Sequence, residues 1–111
     1  YYFSMKIEAA RYAKVNDIIV DPGFGFSKDR DQNYSLLKNL DLLKSLDLPI
    51  LVGLSRKSMT YKLLETTPEY ALNGSTSLNT VALLNGASIL RVHDVKEAME
   101  CIKITYQFNK Q

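Results

Sequence analysis

The feature that most constrains this chain is a unit repeated three times: a short apolar segment, a polar turn, and then a helix-forming stretch. The apolar segments are residues 18–20, 49–54 and 88–92, with starts about thirty to forty residues apart. Continuous apolar character, without polar alternation, marks strands buried on both faces. Parallel strands need a crossover long enough to hold a helix, and this spacing supplies it. The expected fold class is α/β with a parallel sheet. Three parallel strands alone leave two bare edges and an undercovered face, so the stretch is expected to belong to a larger α/β barrel or open sheet. Residue 1 is Tyr, and residues 2–14 read as a helix already under way with no capping residue before it. Both points lead to the expectation of a truncated chain whose missing strands precede Tyr1.

The helical stretches carry their own signals. Leu36, Leu37, Leu40, Leu43 and Leu46 recur at spacings of three and four and predict a helix over 33–45 with one apolar face. A short helix is expected over 58–65, and a longer one from Pro68 to the Asn85-Gly86 stop. The last helix starts at Asp94, where Asp94 and Glu97 have capping-box spacing. Val95, Ala98, Met99, Ile102 and Tyr106 form its apolar stripe.

Composition narrows the function classes. A chain of 111 residues with 46% apolar content suits one folded domain. Fourteen basic against twelve acidic residues give a net charge of only +2, and they are spread along the chain, so a nucleic-acid surface is not expected. No apolar run reaches the roughly eighteen residues of a membrane span, and no secretory leader is visible. Cys101 is the only cysteine, which excludes an intrachain disulfide. It is expected to be a buried, inert thiol, in keeping with a reducing cytoplasm.

In parallel α/β folds ligands bind at the C-terminal ends of the strands. The first segment ends at Asp21 and runs into Pro22-Gly23-Phe24-Gly25-Phe26, a turn that could bring a carboxylate and two aromatic rings to a flat ligand with N–H donors. As plain structure the same residues are a capping Asp, a Pro-Gly turn and two core rings. The second segment ends in Gly53-Leu54-Ser55-Arg56-Lys57-Ser58, two hydroxyls and two cations where a helix begins, a ready site for a carboxylate or phosphate. The structural reading makes a serine the N-cap and leaves Arg56 and Lys57 solvated. The third segment carries Arg91 and His93 two residues apart, on one side of the strand exit, as an anion site, while Asp94 is read as a cap. Walker loops, H-E-x-x-H helices and cysteine zinc pairs are absent, and Gly23-Phe24-Gly25 is too short for a dinucleotide fingerprint. Spacing alone supports an anionic, partly flat ligand.

The runs Asp21 to Phe26, Ser55-Arg56-Lys57-Ser58 and Arg91-Val92-His93-Asp94, taken together and in this order, resemble the dihydropteroate synthase family. The resemblance covers nearly the whole chain. It implies a partial TIM (β/α)8 barrel, with residues 1–111 forming the C-terminal part of a single pterin-binding domain: the last three parallel βα units, with the first five strands absent. It further implies condensation of 6-hydroxymethyl-7,8-dihydropterin diphosphate with para-aminobenzoate, releasing diphosphate, in the cytoplasm and in a homodimeric parent enzyme.

Carried over residue by residue, the resemblance assigns Asp21, Gly53, Lys57 and Arg91 to the pterin, with Asp21 a buried carboxylate accepting ring N–H groups. Phe26, Ser55 and Ser58 are assigned to the para-aminobenzoate pocket, Arg91 and His93 to the diphosphate, and Lys57, Arg91 and His93 to the reaction itself. Magnesium, the family's cofactor, is implied to bind through N-terminal residues absent here, leaving no metal ligand in this chain and no activity in the chain alone. Ser27 stands where the family commonly has Gly. Two other readings fit the sequence less fully: a methyltetrahydrofolate-type pterin-binding methyltransferase domain, which is not expected to carry the Ser-Arg-Lys-Ser run, and a non-catalytic fragment that self-associates through open strand edges.

Overall fold

Residues 50–54, Ile-Leu-Val-Gly-Leu, form the middle of a parallel ladder in the computed structural model, which describes residues 2–12, 18–26 and 28–111. Strand β1 (Leu51–Val52) pairs in parallel with β2 (Ile89–Leu90), placing Leu51 opposite Ile89 and Val52 opposite Leu90. On the other side Val20 makes an isolated parallel bridge to Ile50. The Val20 N–H donates to the Pro49 carbonyl at 2.9 Å, and the Leu51 N–H donates to the Val20 carbonyl at 2.8 Å. The three apolar segments are therefore adjacent and parallel, as expected. The regular ladder is shorter than expected, and the segment 18–20 enters it through Val20 alone.

Burial alternates along these segments, because the described elements cover only one face of the sheet. Val20, Ile50, Val52 and Leu54 are buried, whereas Ile19 and Ile89 are exposed and Leu51 is half-buried. The register puts Ile19, Leu51 and Ile89 on one face, which the described elements leave open. The opposite face packs into the core with Phe24, Leu37, Leu40, Met59, Leu78 and Ala82.

Apart from Phe24, which lies in a turn, those core residues come from helices on the covered side. Helix α1 is Tyr2–Tyr12, and the expected continuation to residue 14 lies outside the described residues, as does Ser27. Helix α2 is Arg30–Lys38, three residues earlier than the leucine pattern indicated. Its start is set by a capping box: Asp29 Oδ1 accepts from the Gln32 N–H at 2.8 Å, and Gln32 Oε1 accepts from the Asp29 N–H at 2.9 Å. The leucine face is real, with Leu37 and Leu40 buried, but the α-helix does not run through it. At Asn39 both the backbone N–H and Nδ2 turn to the Ser35 carbonyl, and Leu40–Leu46 continues as a 3₁₀ helix.

The expected helix over 58–65 is the single turn α3 (Ser58–Tyr61). The expected helix from Pro68 opens as a 3₁₀ turn, Pro68–Tyr70, before α4 (Leu72–Leu84). Helix α5 (Val95–Asn109) packs on α4 through Ala98, Cys101 and Thr105. Of the apolar stripe read from sequence only Ala98 is buried; Val95, Met99, Ile102 and Tyr106 face outward. Small side chains let two helices approach closely, so the seam follows the smaller residues of α5 rather than its larger ones. Cys101 is buried as expected, its Sγ 3.6 Å from the Thr76 carbonyl.

Candidate functional site

The loop after the first segment is shaped by left-handed glycines. Gly23 and Gly25 have φ of +76° and +85°, a region closed to most side chains. Asp21 Oδ1 accepts the Gly23 N–H at 2.9 Å, and Asn33 Oδ1 accepts the Gly25 N–H at 2.8 Å. Lys28 Nζ donates to the carbonyls of Pro22, Gly23 and Phe26 at 3.4, 3.0 and 3.3 Å, so one ammonium gathers the turn from inside. This geometry separates the two aromatic rings. Phe24 is 1% exposed and belongs to the core, whereas Phe26 is 67% exposed. Only Phe26 is available to a ligand, which corrects the expectation that both rings frame one.

The loop after β1 sends neighbouring side chains in different directions. Lys57 Nζ donates to the Phe24 carbonyl at 2.6 Å and sits 5.5 Å from the centre of the Phe26 ring. Its pKa is pushed below the ordinary lysine value, first by burial and then by the Arg91 and Lys28 cations, with Asp21 opposing. Ser55 is buried, and its Oγ accepts the His93 N–H at 3.2 Å. Ser58 is exposed at the first position of α3. Neither serine is the N-cap; Lys57 is, and it makes no side-chain cap bond. A single turn of helix carries little dipole, so the expected helix-terminus attraction for a carboxylate is weak here. Arg56, solvated in the plain structural reading, is engaged by four protein acceptors. Its Nε and Nη2 reach Asp94 Oδ2 and Oδ1, both at 3.0 Å, and Nη1 reaches the Pro68 and Glu69 carbonyls at 2.7 and 3.0 Å.

The same contacts overturn the capping box expected at Asp94. Asp94 occupies the N-cap position of α5, but its carboxylate makes no cap bond because the Arg56 fork takes both oxygens. That hydrogen bonding holds its pKa below the ordinary carboxylate value.

After β2, Arg91 Nη1 lies 3.2 Å from Asp21 Oδ2, an ion pair joining the first and third loops. Both partners are exposed, at 54% and 40%, where a buried carboxylate was expected. The guanidinium lies against Gly53, where an added Cβ would stand 2.5 Å from Nη2. His93 is exposed and is tied into the group through its backbone N–H. The structure thus brings Asp21, Gly53, Lys57 and Arg91 together, puts Phe26 beside Lys57, and joins Ser55 to the His93 backbone. Sequence reasoning missed Arg56, Lys28 and Asn33 as organisers; for α2 the Asp29-x-x-Gln32 spacing was a readable signal.

Among the described residues no group of three His, Cys, Asp or Glu side chains could hold a metal ion, and none of their helices is long and apolar enough to cross a membrane. Asp21 and Asp94 are each committed to an arginine.

Comparison with known proteins identifies the family. A family model described as pterin binding enzyme matches residues 1–93. The chain is 46% identical over 99 residues to dihydropteroate synthase of Escherichia coli K12, covering 89% of this chain and 35% of that protein. It is 40% identical over 103 residues to the bifunctional dihydropteroate synthase/dihydropteroate reductase of Helicobacter pylori, covering 93% of this chain and 27% of that protein. It therefore spans about a third of the length of the curated relatives it matches. The crystal structure of Yersinia pestis dihydropteroate synthase superposes with a TM-score of 0.95 at 40% identity, over 99% of this chain and 53% of that one. A sulfonamide complex of that enzyme gives 0.94 at 41% identity, over 98% of this chain and 40% of that one. By its sequence and its fold, this chain belongs to the pterin-binding enzyme family.

Proposed function

We propose that this chain supplies the last three βα units of a dihydropteroate synthase TIM barrel, which joins 6-hydroxymethyl-7,8-dihydropterin diphosphate to para-aminobenzoate in the cytoplasm. The carrying observation is the Asp21–Arg91 ion pair with Lys57 between two loops, since it gathers a carboxylate and two cations from three strand ends at one mouth.

In this reading Asp21 accepts the pterin ring N–H groups, and its pairing to Arg91 fixes the carboxylate's direction before the ligand arrives. Arg91, held flat over Gly53, stacks on the pterin and, with His93, faces the diphosphate. As the C–O bond to diphosphate breaks, negative charge grows on the leaving group, and these fixed donors stabilise it more than they stabilise the ground state. The amine of para-aminobenzoate then attacks the pterin methylene carbon and loses a proton. Lys57 borders both substrates. Phe26 walls the aminobenzoate ring. In this reading exposed Ser58 donates to the aminobenzoate carboxylate, and Ser55 acts through the His93 backbone it holds.

The strand-end carboxylates Asp21 and Asp94 are each paired to an arginine, so neither is assigned to magnesium. A homodimeric parent is part of the same proposal. Titration calorimetry on a full-length synthase polypeptide carrying these residues tests the site. Asp21→Asn should weaken pterin diphosphate binding about 10- to 100-fold, as expected for losing hydrogen bonds to a charged acceptor. Unchanged affinity would remove Asp21 from the pterin site.

A further inference from the structure

We infer that Arg56 is a positioning residue that locks the loop after β1 to the loop after β2, and so sets the places of Lys57, Arg91 and His93. The inference rests on the synthase reading for its kinetic consequence, though not for its geometry. Arg56 has a left-handed backbone, φ +51°, although it is not glycine. Such a conformation persists only where the surroundings hold it. They do so at several points. The Arg56 N–H donates to Ser75 Oγ of α4 at 2.8 Å, and the guanidinium is anchored on Asp94 and on the carbonyls of Pro68 and Glu69.

The consequence is a parting of neighbours. Arg56 reaches away to the third loop, and Lys57 reaches to the Phe24 carbonyl of the first loop at 2.6 Å. Beside the Arg56–Asp94 pair, Ser55 Oγ accepts the His93 N–H, so two successive residues of one loop hold two successive residues of the other. With four hydrogen bonds to protein acceptors, the Arg56 guanidinium is directed at the protein rather than offered to a ligand. A lysine could keep the charge, but its single ammonium cannot reproduce the planar fork on a carboxylate.

The test uses Arg56→Lys, Asp94→Asn and the double variant in a full-length synthase polypeptide carrying these residues. Three readouts are combined: kinetics, thermal midpoint, and amide hydrogen exchange at residues 55–58 and 91–94. Each single variant should lower kcat/KM by on the order of 10- to 100-fold, the scale of an ångström-sized misplacement. Exchange at the His93 and Arg56 amides should rise, and the midpoint should stay within a few degrees. The double variant should lose no more activity than either single one, because both remove the same clamp. Losses that add, full activity with loosened amides, or an activity loss that merely follows the thermal midpoint would each overturn the inference. If the unmodified polypeptide forms no dihydropteroate, the synthase reading fails while the exchange data still decide whether the clamp exists.

Discussion

Arg91 rests on Gly53 so closely that any side chain there would displace it: a Cβ would come within 2.5 Å of Nη2 and 2.9 Å of Cζ. The glycine is needed for a neighbour's side chain rather than for its own backbone angle. Gly53→Ala should therefore push Arg91 off Asp21 and lower kcat/KM by on the order of tenfold or more while the chain stays folded. Steady-state kinetics with a circular-dichroism melt would check both halves. Lys57 gives a second test. Its folded pKa lies below 10.5, chiefly through burial, so the folded state holds its proton less tightly than the unfolded state does. Stability should then rise as pH climbs from the lowered value towards 10.5, and Lys57→Met should flatten that rise in denaturant midpoints measured across the window. At this scale much was legible in the sequence: Asp21, Gly53, Lys57 and Arg91 lie in the runs singled out at the strand ends, the family resemblance grouped them, and they come together. The exposure of Asp21 and Arg91 was not legible, because it depends on which face of the sheet the helices cover.

Elements were harder to read where a side chain had two competing partners. Asp94 and Glu97 have capping-box spacing, yet Arg56, 38 residues away in sequence, takes the Asp94 carboxylate. A local pattern cannot reveal a distant fork that binds more strongly. The working capping box is Asp29 with Gln32, three residues before the expected helix start. The leucine period located the apolar face but not the cap. Asp29→Ala should cost about 1 kcal/mol of stability, within the usual range for losing an N-cap, measured by urea unfolding of the full-length polypeptide. Helix α5 shows the same limit in another form. Its larger apolar residues suggested the buried stripe, but Ala98, Cys101 and Thr105 meet α4, since helix contact rewards close approach as well as apolar area.

For the whole molecule, the open sheet face matters most. Ile19, Leu51 and Ile89 lie on it, and the positions that follow along the same segments are Asp21, Gly53 and Arg91. The site thus sits at the polar end of an apolar face that the described helices do not cover. In the proposed barrel that face is the interior, filled by side chains from the remaining strands, and the polar end is its mouth. The sequence suggested this through three units too few to close a sheet, and the matched E. coli relative is roughly three times longer. The most direct measurement is product formation: pterin diphosphate and para-aminobenzoate are mixed with a full-length synthase polypeptide carrying these residues or with the 111-residue chain, and dihydropteroate is followed by mass spectrometry. The account predicts dihydropteroate and an equal amount of diphosphate from the full-length polypeptide and none from the chain alone. Absence of product from the full-length polypeptide, or turnover by the chain alone, would contradict it.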